Sequence, residues 1–323
     1  MPLSGSLLAV SEQGRAQLAK LGLVVAIGMF WGGNWPAVRL SLEEIPPITL
    51  RAIGFTVGAL VLLGWARLRG LHLRVPVSER PWLVVVGLLS ILGFNLCTAF
   101  GQLLMPTSQA VIIAFTMPLW ATLLSIPVLG ERVLLQQWLG LALGFAGLLL
   151  LLGPAAAGTA GTGLLGPFLV LIAALSWAGG TVLIKRRGNW LSHVVVITGW
   201  QYVACAVPMI VLAVLLEQPH APTRWSLSTA LGLAYHLVFA VCLAQMLWFV
   251  MVRRLTVGQA TIATFLIPVI GVASSIVVLA EPLSARLVVA LLFTLGAVGC
   301  VMIGRRQSTA APPAAQESRS GSG

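Results

Sequence analysis

Most of this chain consists of apolar runs of about 20 residues, the length that crosses the hydrocarbon core of a bilayer as a helix. Backbone polar groups have no water to bond to inside lipid, so spanning runs of this length are expected to be helical. Ten such runs occur, and we number them spans one to ten: 21–40, 45–65, 81–103, 107–128, 133–153, 163–184, 193–216, 227–252, 258–280 and 283–304. Only 8% of the residues are charged, whereas soluble domains have about a quarter. The sequence therefore predicts an all-α integral membrane protein with ten transmembrane helices.

The net charge of +11 could suggest nucleic-acid binding, but the basic residues lie between the spans rather than on one soluble domain. With ten spans, alternate loops share a side of the membrane, and 15 of the 19 lysines and arginines fall on one side. By the positive-inside rule, this side is cytoplasmic and holds both termini. The short loops and the simple charge bias suit a bacterial inner (cytoplasmic) membrane, and no nucleic-acid partner is expected.

The segments outside the spans are short. Residues 1–20 are only mildly apolar and no A-x-A cleavage site follows the first run, so span one is predicted to be a retained helix after a cytoplasmic N-terminal segment. Residues 305–323 are rich in Ser, Ala, Pro and Gly and are predicted to be a disordered cytoplasmic tail. The four cysteines all lie inside spans without CxxC spacing, which favours packing roles over disulfides or metal ligands.

Two stretches of 25 residues, 108–132 and 258–282, are related by an offset of 150 residues. Aligned without gaps, they are identical at ten positions. The matches include residue types that are scarce inside membranes, namely Gln109 with Gln259, Pro118 with Pro268 and Glu131 with Glu281. In span one, Trp31-Gly32-Gly33 likewise corresponds to Trp177-Ala178-Gly179 in span six. The chain is therefore predicted to contain two related halves.

Each half holds five spans, 21–153 and 163–304, and a linker over 154–162 joins them. Because five is an odd number, the second half is predicted to lie in the membrane upside down relative to the first. Inverted repeats of this kind are typical of secondary transporters, in which the substrate site lies near the bilayer midplane between the repeats.

The residues of spans one and four also match a known pattern. Span one carries Trp31, Gly32, Gly33 and Asn34, and span four carries Gln109-Ala110, Pro118 and Gly130-Glu131. Together with five-plus-five spans over 21–304, these residues resemble the EamA-type family of the drug/metabolite transporter superfamily. The resemblance implies a ten-helix transporter of small metabolites, and many members export amino acids or similar compounds. The second half departs from the pattern, because Gly180 stands at the counterpart of Asn34 and Ala280 at that of Gly130.

Polar and aromatic residues inside the spans are candidates for a substrate site, because polar groups are costly in lipid unless they face a cavity or a partner. Asn95 and Gln245 are related by the 150-residue offset and are the preferred polar pair near the midplane; the alternative is hydrogen bonding between helices. His236 could titrate near neutral pH or be a hydrogen-bonded core residue. The predicted substrate-binding residues are Trp31, Asn34, Trp35, Arg51, Asn95, Trp177, Gln201, Tyr235, His236 and Gln245.

Arg51 is left inside a span by the positive-inside assignment. Its side chain could snorkel to the outer surface, pair with Glu44 seven residues earlier, or hold a substrate carboxylate through two hydrogen bonds. The sequence leaves these three alternatives open.

Glycines and prolines inside the spans are candidates for hinges. Gly28 and Gly32 form a small-xxx-small pair, which lets another helix approach closely. Pro118 and Pro268 are predicted to interrupt spans four and nine, and corresponding breaks in two halves are typical of a transport path; alternatively, the prolines only bend the helices. The predicted hinge or gating residues are Gly32, Gly33, Pro36, Gln109, Pro118, Gln259 and Pro268. Glu131 and Glu281, which close spans four and nine, are expected to be structural.

These features predict a secondary transporter that exports small metabolites such as amino acids by alternating access. The sequence has no P-loop, so energy would come from a gradient, and it has no Asp for a carboxylate relay within the membrane. HExxH, GxSxG and paired Asp motifs are also missing, so neither enzymatic activity nor a metal or other cofactor is expected. The alternatives are a multidrug or other metabolite permease of the same fold, a non-transporting membrane sensor, or an intramembrane enzyme.

Spans five and ten are almost wholly apolar and rich in glycine, so they are predicted to pack outside the cavity or to form a homodimer. The expected partners are thus a small-molecule substrate, membrane lipid and a second copy of the chain.

Overall fold

The computed structural model describes residues 4–156, 163–217, 225–254 and 257–310. Within these ranges all regular structure is helical. Nine helical segments there are long and apolar enough to cross a bilayer, and the apolar part described for span nine is Phe265–Leu279. In chain order the segments are Ser4–Gly32 with Asn34–Ser41 (span one), Pro47–Leu68 (two), Arg80–Gly87 with Leu88–Gly93 and Phe94–Leu104 (three), Thr107–Ala114 with Met117–Leu129 (four), Leu135–Ala156 (five), Leu165–Arg187 (six), Val194–Leu212 with Ala213–Glu217 (seven), Leu227–Tyr235 with His236–Ala244 and Gln245–Arg254 (eight), Val257–Leu279 (nine) and Ala285–Ala310 (ten).

The helices extend past the predicted boundaries at both ends of the chain. The first helix begins at Ser4, within the segment 1–20 that was expected to precede span one. The last helix continues to Ala310, so the prediction of a disordered tail is wrong for residues 305–310. The arginines and glutamine at 305–307 are good helix formers, which allows the apolar helix to continue beyond the span.

Span four is broken where Pro118 predicts a break. Its first helix ends at Ala114, and a second begins at Met117 with Pro118 in the first turn, where a missing N–H costs no helical hydrogen bond. Thr116 supports the break from between the two helices. Its hydroxyl donates to the Ile113 carbonyl at 2.6 Å and accepts from Trp120 Nε1 at 3.0 Å.

Span nine has no corresponding break. Its helix runs from Val257 to Leu279 with Pro268 inside it, so the predicted interruption at Pro268 is wrong. The difference has a physical reason in the repeat itself. The position equivalent to Thr116 is Leu266, which has no hydroxyl to replace the backbone bonds that a break would remove.

Spans three and eight each contain a π-helical segment at equivalent positions of the two halves. Leu88–Gly93 ends just before Asn95, and His236–Ala244 ends directly before Gln245. Such segments insert extra residues into a helix, redirect the side chains that follow and are frequent at functional sites. The sequence did not predict them, because a run of apolar residues fits an α-turn and a π-turn equally well.

The spans pack in combinations that cross between the halves. Span two packs along span seven, span one packs against spans eight and nine, and span six packs against spans three and four. Gly28 and Gly32 form the close-packing face of span one, as their spacing predicts. A Cβ added at either glycine would lie only 2.7 Å from the nearest side-chain carbon of Leu266 or Ile270 in span nine.

Spans five and ten pack on each other within the chain. A Cβ added at Gly140 would lie 2.8 Å from the Ala297 carbonyl oxygen, and one added at Gly147 would lie 3.2 Å from the Ala290 carbonyl oxygen. The glycine-rich face of span five is thus used inside one chain.

Candidate functional site

Arg51 lies about one turn inside span two and is only 2% exposed. Its Nε donates a hydrogen bond to the backbone carbonyl of Asn95 in span three, at 2.8 Å. Glu44 instead accepts a hydrogen bond from the backbone N–H of Ser226, at 2.9 Å, at the end of span one. Pairing with Glu44 and snorkelling to the surface are therefore both wrong. Among the described residues, neither Nη nitrogen has a hydrogen-bond acceptor or a carboxylate partner.

His236 brings span eight against spans one and two. Its Nδ1 lies 2.8 Å from Asn34 Oδ1, and because a carbonyl oxygen only accepts, Nδ1–H is the donor. Its Nε2 faces span two, where a Cβ added at Gly54 would lie 3.0 Å away. Gly54 is three residues after Arg51 and shares its helix face, so the His236 ring lies against the face of span two that carries Arg51. We call Asn34, Arg51 and His236 the Arg51 cluster. Arg51 and His236 are buried, Asn34 is partly buried, and the cluster joins the two halves.

Tyr235 and Trp31 connect spans eight and one beside this cluster. The Tyr235 hydroxyl donates to the Met29 carbonyl at 2.8 Å, and Trp31 Nε1 donates to the Ala240 carbonyl at 3.2 Å. The same Tyr235 hydroxyl lies against Gly33, where an added Cβ would overlap it. Gly33 also separates the two helices of span one. This position therefore combines a helix break with a contact that only glycine permits.

Three aromatic rings connect spans one, three and six. The Phe94 ring centroid lies 6.4 Å from that of Trp35 and 5.1 Å from that of Trp177, edge-on in both cases. Trp35 is buried, whereas Trp177 is 37% exposed. Phe94 was not among the predicted site residues. Its position directly before Asn95 is the one sequence signal that could have pointed to it.

The preferred pair, Asn95 and Gln245, is not joined by a hydrogen bond within the described ranges. The Asn95 amide donates to the Ile91 carbonyl of its own span at 2.8 Å, and its backbone carbonyl holds Arg51. Gln201 is buried against Gly87, where an added Cβ would lie 3.1 Å from the Gln201 side chain. The described residues thus show no hydrogen bond between Asn95 and Gln245, whereas the Arg51 cluster brings three other predicted residues together.

The remaining predicted hinge residues are spread over several helices. Pro36 is buried in the second helix of span one, one turn beyond Gly33. Gln109 is half-buried in the first turn of span four. The side chain of Gln259 lies outside the part of the chain that the structure describes.

Glu79, which the sequence did not single out, binds the start of span seven. Its carboxylate is fully buried and accepts hydrogen bonds from the Leu191 N–H at 2.6 Å, the Ser192 N–H at 3.3 Å and the Ser192 hydroxyl at 2.7 Å. An Arg187 nitrogen lies 3.8 Å away. Burial alone would raise the pKa of Glu79, but the hydrogen bonds and the guanidinium outweigh burial and hold the pKa below its usual value.

Glu217 makes the equivalent set of bonds in the other half. It accepts from the Ile48 N–H at 2.9 Å, the Thr49 N–H at 2.7 Å and the Thr49 hydroxyl at 2.8 Å. Glu79 lies directly before the third span of the first half, and Glu217 is the last residue of the second span of the second half. Each therefore caps the second span of the opposite half. A single sequence hides this pairing, because the two glutamates are not matched by the 150-residue offset.

Glu281 and Glu131, expected to be structural, also connect spans. Glu281 accepts from the backbone N–H groups of Thr107 at 2.6 Å and Ser108 at 2.9 Å, which caps the start of span four. Glu131 forms an ion pair with Lys185 at the end of span six.

Two open grooves lie away from the Arg51 cluster. One, of about 720 Å³, is lined mainly by apolar side chains where spans two and eight end and span seven begins, among them Trp65 and Met246. The other, of about 470 Å³, lies beside Trp200 and the segment before span three. Within the described ranges no group of three or more His, Cys, Asp or Glu side chains could hold a metal ion.

The apolar helices and the buried cluster between two halves define a polytopic membrane protein with a two-repeat architecture. Residues 19–153 and 164–303 each match the EamA-like transporter family, and the chain belongs to this family. It is a membrane transporter.

Similar proteins support this assignment. The uncharacterized transporter YvbV of Bacillus subtilis is 30% identical over 271 residues, 84% of this chain and 87% of that protein. The uncharacterized inner membrane transporter YedA of Escherichia coli K12 is 27% identical, over 80% of this chain and 82% of its own. A protein of Salmonella typhimurium named a probable amino-acid metabolite efflux pump is 26% identical, over 81% and 87%. A solved crystal structure with 22% identity superposes with a TM-score of 0.59 over 91% of this chain and 99% of that chain, which supports the fold alone.

Proposed function

We propose that this protein is a secondary transporter that exports small metabolites such as amino acids across a bacterial inner membrane by alternating access. The observation that carries the proposal is the Arg51 cluster, a buried polar site to which spans of both halves contribute. A buried polar site of this kind, enclosed by helices of two repeats, is what a transporter presents to a substrate near the membrane interior.

The proposal includes ten spans arranged as two inverted repeats. The caps made by Glu79 and Glu217 support it, because each makes the same three hydrogen bonds to the second span of the opposite half. The paired π-helical segments before Asn95 and Gln245 support it as well. Two halves with equivalent contacts could exchange conformations by rocking, with span four and the break at Gly33 as hinges.

The proposal also places both termini in the cytoplasm. The hydrogen bonds and ion pairs between loops support the division of the loops into two sides on which this placement rests, because each one joins two segments that the alternating-loop assignment puts on the same side. On the assigned cytoplasmic side the pairs are Glu79 with Ser192 and Glu131 with Lys185; on the outer side they are Glu44 with Ser226, Glu217 with Thr49, and Glu281 with Thr107.

The proposal also includes a homodimer through spans five and ten, restricted to contacts between the outer faces of these spans. The glycines of span five are occupied by span ten of the same chain, so a second copy would have to use the outer faces of these spans. Large apolar side chains such as Trp138 and Leu292, which are half or more exposed, supply these faces to lipid or to a partner.

The function can be tested by reconstituting the protein in liposomes and measuring uptake of a labelled amino-acid panel, with and without a pH gradient. Asn34→Ala removes the hydrogen bond to His236, and Asn189→Ala, in an exposed loop, is the matched control. We expect saturable uptake that Asn34→Ala reduces strongly and Asn189→Ala leaves unchanged. Equal uptake by both variants would contradict the assigned site, and no uptake of any panel member by the parent protein would contradict the amino-acid substrate class.

A further inference from the structure

Arg51 carries a charge that the described protein does not neutralise. Arginine stays protonated in proteins, and a charge removed from water is costly unless it is paired. The Asn95 carbonyl satisfies Nε, but neither Nη nitrogen has an acceptor among the described residues. These nitrogens are not among the fully enclosed polar atoms without a partner, so they keep a small accessible area although Arg51 is only 2% exposed.

Within the described ranges, no carboxylate of the chain pairs with this guanidinium. Asp is missing from the sequence, and the glutamates with described side chains lie at the ends of the spans. Four of them are engaged elsewhere: Glu44, Glu79, Glu217 and Glu281 accept hydrogen bonds from backbone N–H groups. An anion that neutralises Arg51 would therefore come from outside the protein.

The groups around the guanidinium indicate which kind of anion would fit. Gly54, three residues after Arg51, lets His236 Nε2 approach span two closely, since a Cβ added there would lie 3.0 Å from that nitrogen. Since Nδ1–H donates to Asn34, the neutral ring presents an Nε2 lone pair to this side. One carboxylate can accept two parallel hydrogen bonds from the guanidinium, and a donor next to that carboxylate can bond to Nε2.

We propose that Arg51 binds the carboxylate of the transported molecule, with His236 Nε2 accepting a hydrogen bond from a neighbouring ammonium or N–H group. The ligand class is a small zwitterionic or amide-bearing carboxylate. This assignment rests on the proposed transport function and names the residue that recognises the substrate head group.

The first test needs no knowledge of the substrate. If Arg51 needs an external anion as its partner, its charge is unpaired in the ligand-free protein. Arg51→Met should then melt several degrees above the ligand-free parent in detergent, because an apolar side chain of similar length removes the unpaired charge. Arg39→Met, which removes a partly exposed arginine at the end of span one, is the control and should show no such rise. An Arg51→Met protein that melts below the parent, or fails to fold, would overturn the proposal by making Arg51 a structural tie.

The second test uses L-phenylalanine and L-leucine against their carboxamides, measured as thermal shifts of the purified parent protein. We expect the amino acids to bind at least about tenfold more tightly than the amides, because charge-assisted hydrogen bonds to Arg51 are lost, and Arg51→Met to abolish the difference. Equal binding of acids and amides would overturn the proposal. If the amino acids bind more tightly than the amides but liposomes show no flux, the carboxylate site is supported and the transport function is contradicted. If flux persists in Arg51→Met, only the carboxylate site is contradicted.

Discussion

Replacing Glu79 by glutamine should weaken the contact between the first half and span seven. The carboxylate is fully buried and accepts three hydrogen bonds from Leu191 and Ser192, with Arg187 at 3.8 Å. The Glu79→Gln side chain keeps one acceptor oxygen, but its NH₂ group would face donors from Ser192. Hydrogen bonds to charged groups contribute about 1.5–3 kcal/mol each and are not additive, so we expect a loss of about 3 kcal/mol in the free energy of unfolding.

This loss corresponds to a decrease of roughly 6 °C in the melting temperature of the detergent-solubilised protein, at about 2 °C per kcal/mol for a chain of this size. Glu44→Gln is the matched control. Glu44 is exposed and accepts one described backbone hydrogen bond, from Ser226, so no resolved change is expected. Similar melting temperatures for the Glu79 and Glu44 variants would refute the reasoning from burial and bond number.

The pH dependence provides a second readout of the same contact. Because the pKa of Glu79 is lower in the folded protein than the ordinary value of 4.5, its stabilisation is fully present above that value and is lost as the pH falls through the folded pKa. The difference in melting temperature between parent and Glu79→Gln should therefore be constant near neutral pH and shrink below pH 4.5. A difference that stays unchanged into acid would contradict the role of the ionised carboxylate.

Two further substitutions test local geometry. Ala280 directly follows the helix of span nine with φ of 52°, and its counterpart Gly130 follows that of span four with φ of 68°. Glycine is favoured at positive φ, so Ala280→Gly should raise the free energy of unfolding by about 0.5–1 kcal/mol and Gly130→Ala should lower it by about 1 kcal/mol. Denaturant titrations measure both changes. The opposite signs are the test, and a loss of stability in Ala280→Gly would contradict it. Gly33→Ala should lower the melting temperature through overlap with the Tyr235 hydroxyl, and adding Tyr235→Phe should restore part of the loss, because the Tyr235 ring carbon and the Met29 carbonyl oxygen still lie 3.0 Å from the added Cβ. A double variant no more stable than Gly33→Ala would place the strain elsewhere.

The sequence was sufficient for the architecture because lipid leaves the backbone few choices. Apolar runs of about 20 residues must be helices in a bilayer, and nine helical segments of the described ranges are long and apolar enough to cross one. The repeat of 108–132 at 258–282 gave the two halves, and the family match over 19–153 and 164–303 agrees with that division.

Local helix geometry was less predictable. Equivalent prolines suggested equivalent breaks in spans four and nine, yet of these two only span four is broken, because Thr116 supports a break and Leu266 does not. The π-helical segments in spans three and eight carry no pattern in the sequence. Such details depend on hydroxyl groups and neighbouring helices, which the apolar pattern does not encode.

By itself, the sequence determined that the chain is a two-repeat helical membrane protein with polar residues inside its spans. The tertiary structure decided which of those residues meet. It joined Asn34 to His236, set Arg51 on the Asn95 carbonyl instead of beside Glu44, and bonded the Asn95 amide to Ile91 rather than to Gln245. The reason is physical. Burial in lipid makes each span helical on the basis of its own residues alone. Contacts between helices depend instead on how the helices rotate and how closely they approach, and small residues such as Gly33 and Gly54 determine this only when the helices pack.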